Sequence, residues 1–188
     1  MRKSLPCFVV TLGLALGACG TLPPPAALPS DASWPFLDPT RTAINNTAFA
    51  FASPARLAGN PADAALAIAQ AEHIAVALRH DQRYIDFSPT PQLLFAMARP
   101  EWRAAMGVPE GVPPQVVIDA LFSARRALQA DDRMAAETAL RAPVFADGGA
   151  VALGRLADLP PLPHTAAAAA AAAGELSRPH RDGRGHRR

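Results

Sequence analysis

One short stretch of the chain gathers side chains able to do chemistry. In "AEHIAVALRH", Glu72 and His73 are adjacent and His80 follows seven residues later. A carboxylate and two imidazoles are the parts of a metal site or of an acid–base pair. Their spacing argues against a metal grip, because His73 and His80 lie two helical turns apart rather than one. Asp131 and Asp132 are also adjacent, but neighbouring side chains diverge on a helix, so the pair suits a turn and a helix cap better than acid–base work. Among the large apolar side chains, Trp102 and Met106 stand one turn apart and face a common neighbour. Together with Phe95 and Phe122 they could line an apolar ligand pocket or belong to the core. The chain has no GxSxG elbow, HExxH, Walker loop, GxGxxG, paired CxxC or Ca²⁺-loop pattern. Every basic side chain after Lys3 is Arg, which removes Schiff-base and P-loop chemistry, both of which use Lys. No catalytic, cofactor-binding or metal-ligating residue is assigned, and no cofactor is expected.

The strongest local signal lies at the start of the chain. Arg2 and Lys3 precede an apolar run from Leu5 to Ala18 that is too short to span a bilayer and matches a secretory signal core. The run closes on small residues and a cysteine. Leu16-Gly17-Ala18-Cys19 resembles the lipobox of bacterial lipoproteins, and the resemblance covers residues 1–20 only. It implies a diacylglyceryl group on the Cys19 sulfur and cleavage between Ala18 and Cys19. Burial of acyl chains at about 0.8 kcal/mol per CH₂ makes one chain a marginal anchor and two an effectively permanent one. Gly20, where Asp would retain a lipoprotein at the inner membrane, resembles the default class sorted to the outer membrane, facing the periplasm. Cys7 would leave with the signal, so an acylated Cys19 leaves no thiol for a disulfide or a nucleophile.

The elements that would position a site follow from the remaining residues. Residues 1–18 are read as signal peptide and 19–37 as the acylated cysteine with a Pro-rich extended tether. Residues 38–160 are read as a helical domain, and 161–188 as an Ala-rich and Arg-rich low-complexity tail. Asp38-Pro39 suits a helix start, but residues 38–56 fit a strand by alternation and a helix by Ala content. Phe49 and Phe51 are expected to join the core. Asn60, Pro61 and Asp63 mark a helix from residue 61 to about 80, whose many Ala residues allow another helix to approach closely. Tyr84, Ile85 and Phe87 are large enough to pack over helix ends. A second helix follows Thr90-Pro91, and Pro100 is expected to end or kink it. Val117, Leu121, Ala124 and Leu128 form one stripe of an amphipathic helix whose other face carries Asp119, Ser123 and Arg126. Asp131-Asp132 then turns into "RMAAETALR", making an αα-hairpin. The eight alanines Ala166–Ala173 are expected to form a frayed helix or a spacer.

These readings predict an all-α fold, a small irregular bundle of short Ala-rich helices with Pro-rich links, flanked by a disordered tether and tail. Residues 178–188 carry five Arg against one Asp, which invites an anionic surface as partner. A location outside the cytoplasm argues against nucleic acid. The expected role is that of a lipid-anchored envelope protein, held to the membrane through Cys19 and docking an envelope protein partner. An apolar-ligand module lined by Phe95, Trp102, Met106 and Phe122 is the alternative, and an enzyme whose residues meet only in three dimensions is the second.

Overall fold

The computed structural model describes residues 25–32 and 37–178; Ala18, Cys19, the signal segment and residues 179–188 of the Arg-rich end lie outside the described residues. Within them the chain is all-α, with seven α-helices and no strand. Segment 38–56, ambiguous in sequence, is an α-helix over Pro39–Phe51 followed after Ser53 by a 3-10 turn, with no strand. Asp38 caps α1 (Pro39–Phe51), its carboxylate accepting from Thr40 N at 2.9 Å, and Pro39 supplies the first helical position. On a helix, residues two apart point about 200° apart, so Phe49 and Phe51 cannot both face inward. Phe51 is buried and Phe49 is 64% exposed, contrary to the expectation for Phe49.

The central element is α2 (Pro61–His80), capped by Asn60 and packed against α1, α3, α4 and α6. Its side chains from Ala67 to Leu78 are all buried, which the small volume of Ala permits on several sides at once. α3 (Pro89–Met106) continues through Pro100 as one helix, so of the expected end or kink at this proline the end does not occur. Proline removes one backbone hydrogen bond, and packing of α3 against α2 and α7 outweighs that loss. Gly107 ends α3 at φ +69°, turning the chain so that Val108 N–H reaches the Arg103 carbonyl at 2.8 Å. α4 (Pro114–Gln129) and α5 (Arg133–Ala139) form the expected hairpin, with Asp132 capping α5 through Ala135 N at 2.9 Å. α6 (Gly149–Ala157) approaches α5 so closely that a Cβ on Gly149 would stand 1.8 Å from the Glu137 carbonyl oxygen. Tyr84 is buried as expected, whereas Ile85 is 77% exposed.

Two sequence boundaries are corrected. The alanine run belongs to α7 (Pro163–Leu176), a packed helix that buries Thr165, Ala168, Ala169 and Ala172 against α1 and α3. Isolated, such a helix is marginal; tertiary burial of its Ala face stabilises it. The Glu101 carboxylate of α3 accepts from His164 N (3.1 Å), Thr165 N (2.8 Å) and Thr165 Oγ1 (2.6 Å), closing the α7 N-terminus. At its other end Ser88 Oγ donates to Glu175 at 2.5 Å, so α7 runs antiparallel to α3. The other correction concerns residues 25–32, which are not a free tether. Ala26 and Leu28 pack on the core, Ala27 exchanges two hydrogen bonds with the Gln115 amide (2.8 and 3.1 Å), and Asp31 pairs with Arg126 at 3.2 Å. Apolar Ala and Leu between prolines give that segment something to bury, despite its lack of helix or sheet.

Candidate functional site

The titratable residues singled out in sequence go to separate places. Glu72 is fully buried and faces α3. Its Oε1 accepts from Arg99 Nε (3.0 Å), Arg99 Nη2 (2.6 Å) and Arg103 Nη2. Its Oε2 accepts from Trp102 Nε1 (2.8 Å) and Arg103 Nε (3.2 Å). Burial pushes the Glu72 pKa up, but the hydrogen bonds and charges of Arg103 and Arg99 outweigh it and hold the carboxyl below its ordinary value. Arg103 spends its remaining N–H groups on the carbonyls of Pro109 (3.1 Å), Glu110 (3.0 Å) and Val112 (2.9 Å), so all five of its donors are engaged. One saturated guanidinium therefore ties α2, α3 and the link to α4 together.

His73 points the other way. Its Nε2 shares a hydrogen bond with Thr40 Oγ1 at 2.9 Å, and burial lowers its pKa, which keeps the ring neutral. His73 and His80 line a cleft of about 360 Å³ roofed by Pro25–Leu28 and floored in part by Thr40 and Asp81. Nearby, Tyr84 Oη donates to Asp38 at 2.7 Å, and Arg83 pairs with Asp38 at 3.2 Å. Among the described residues no three His, Cys, Asp or Glu side chains cluster as a metal site would require.

The four apolar side chains offered as a ligand lining are core residues. Phe95, Trp102, Met106 and Phe122 are each at most 1% exposed, and Phe95 meets Trp102 edge-on at 6.3 Å. None of them lines a described cleft. A cleft does open behind Glu72, with a volume of about 430 Å³, between α2 and α3. Ala75, Val76, Ala96, Pro100, Ala104 and Val108 give it apolar walls, and Arg79, Arg99, Arg103 and Glu110 supply its charges.

Sequence reasoning missed this arrangement, although two signals pointed to it. A carboxylate in the middle of an otherwise apolar helix needs cations or donors when that helix is buried. Arg99, Trp102 and Arg103 stand at i, i+3 and i+4 in "ARPEWRAAM", one helical face. Expecting a break at Pro100 separated Arg99 from the other two. As an active site the cluster offers little: the carboxylate is fully coordinated, has no exposure, and sits below its ordinary pKa, the opposite of what a general acid needs. No protein-family model, characterised protein or solved structure matches the chain.

Proposed function

We propose that the chain is a lipid-anchored protein of the bacterial cell envelope that works by docking another envelope protein rather than by catalysis. The lipobox-like Leu16–Cys19 supports the anchor and an outer-membrane position facing the periplasm. Among the described residues no helix is long and apolar enough to cross a membrane. The Arg-rich residues 178–188 would add contact with an anionic surface.

The observation that carries the docking role is the outward face of α3. Leu93 and Met97 are 61% and 63% exposed, and Pro100 and Ala104 continue the same exposed line at helical spacing. An uninterrupted apolar stripe on the outside of a small domain marks a contact surface more often than chance. The α4 face is a poorer candidate, because residues 25–31 already occupy Gln115 and Arg126. A photo-crosslinker at Met97 in intact cells should capture one dominant envelope protein, and a crosslinker at Glu137 should not. Capture of only abundant neighbours from Met97 would refute the docking role. Cys19→Ser should give a soluble or an uncleaved form; a variant as membrane-bound as wild type after its signal has been removed would refute the anchor.

A further inference from the structure

The cleft between α2 and α3 has chemistry that protein docking does not use. Its wall follows α3 from Ala96 to Ala104, about 12 Å at 1.5 Å per residue. Its volume of about 430 Å³ lies in the range of small-molecule pockets, roughly 300–1,000 Å³. The walls are methyl and methylene groups, and the polar groups are few and charged. Arg103 has no donor left to offer. Arg99 differs: Glu72 takes Nε and one N–H of Nη2, while Nη1 bonds to no described residue and the side chain is 26% exposed. Glu72 thereby fixes the Arg99 guanidinium in place with one edge unused. Arg79, one helical turn beyond Ala75 on α2, lines the same cleft, is exposed and pairs with no acid among the described residues.

Two guanidinium groups with unused donors beside an apolar channel fit an anion attached to an apolar body. The charge balance sets how much anion. Arg79, Arg99 and Arg103 face Glu72 and Glu110, leaving one net positive charge, and Glu110 would repel a second acidic group in the cleft. We propose that this cleft binds a single-headed, monoanionic amphiphile of the medium-chain fatty-acid type. Its carboxylate sits between Arg99 and Arg79, and its chain lies along Ala96, Pro100 and Ala104. The cleft shares Pro100 and Ala104 with the docking stripe, so ligand and protein partner would compete there. The two readings stay distinguishable, because octanoate binding is read on the purified chain and stands even if a crosslinker at Met97 captures nothing.

The test is calorimetric titration of the purified full chain carrying Cys19→Ser, which precludes acylation, with octanoate, octanol and inorganic phosphate. Octanoate should bind with one-to-one stoichiometry, and octanol and phosphate should each bind at least about tenfold more weakly, because each lacks half of the match. Arg79→Gln, at an exposed position, should weaken octanoate about five- to tenfold, and Ala104→Phe, which fills the channel from its rim, should abolish it. Both variants should keep the wild-type circular dichroism spectrum and melting temperature. The proposal is overturned by octanol binding as tightly as octanoate, by phosphate doing so, by no saturable octanoate binding at millimolar concentration, or by octanoate binding unchanged in folded Ala104→Phe.

Discussion

The helix α3 is held on two sides by opposite means. Towards α2 it meets a buried carboxylate, and the seam is made of five directed hydrogen bonds from Arg99, Trp102 and Arg103 to Glu72. Towards α7 it meets a helix whose buried side chains besides Thr165 are the methyl groups of Ala168, Ala169 and Ala172, with carboxylates at the two ends of the seam. The first seam works only when every polar atom finds its partner, since unpaired charge in low dielectric is strongly unfavourable. The second works only when the backbones come close, since an Ala methyl has little area to bury. One seam is sensitive to charge and the other to volume.

That contrast can be broken most strongly at Glu72. Glu72→Ala leaves the buried Arg103 and the partly exposed Arg99 without their shared counter-charge and should cost about 3–5 kcal/mol, read as a lower urea midpoint. Acid attacks the same point: a carboxyl held below its ordinary pKa contributes stability that is complete above the unfolded value of 4.5 and disappears as pH falls through the folded one. A stability profile flat between pH 5 and pH 2 would show that the ion cluster contributes nothing. Next in size, Ala168→Leu wedges the α7 seam apart and should cost about 1–3 kcal/mol, whereas the same enlargement at exposed Ala104 should be neutral in thermal denaturation. Glu101→Ala strips the α7 N-terminus of its acceptor and should cost about 1–2 kcal/mol, with amide exchange accelerating first at Thr165 and Ala166. The smallest effect belongs to His73. Its depressed pKa means that folding favours the neutral ring, so its contribution is intact above pH 6.5 and declines as pH falls below it. The slope is at most about 1.4 kcal/mol per pH unit for one proton, and His73→Gln should remove that shoulder while leaving the deeper acid limb of Glu72 in place.

The two seams also differ in how legible they were. Capping chemistry is local, so the starts of α1 at Asp38-Pro39, α2 at Asn60-Pro61 and α5 at Asp132 could be read from a few residues each. The stripe of α4 was equally plain, because Val117, Leu121 and Ala124 bury as one face. Nothing local in eight alanines says whether a partner surface exists, so α7 looked like a tail; its fate is decided by α1 and α3, which end at Phe51 and Met106, far earlier in the chain. The ion cluster was half legible, since Glu72 and the Arg99–Arg103 face were each visible but their meeting spans 27–31 residues. Pro100 hid it further, because the rule that proline stops helices is a local preference that packing on two sides overrode.

The docking of residues 25–32 along α4 has a consequence for where the domain can stand. If Cys19 carries the lipid, only seven peptide steps separate the bilayer surface from Ala26, where the chain is already packed on the core. At 3.3–3.6 Å per residue, that stem reaches no more than roughly 25 Å. An acylated Cys19 would therefore moor the domain at short range rather than on a long line, and would restrict its swing to a shallow layer above the membrane. Anything it meets must come down to that layer, and lengthening the stem by ten Gly–Ser residues should change which neighbours it captures without changing its fold.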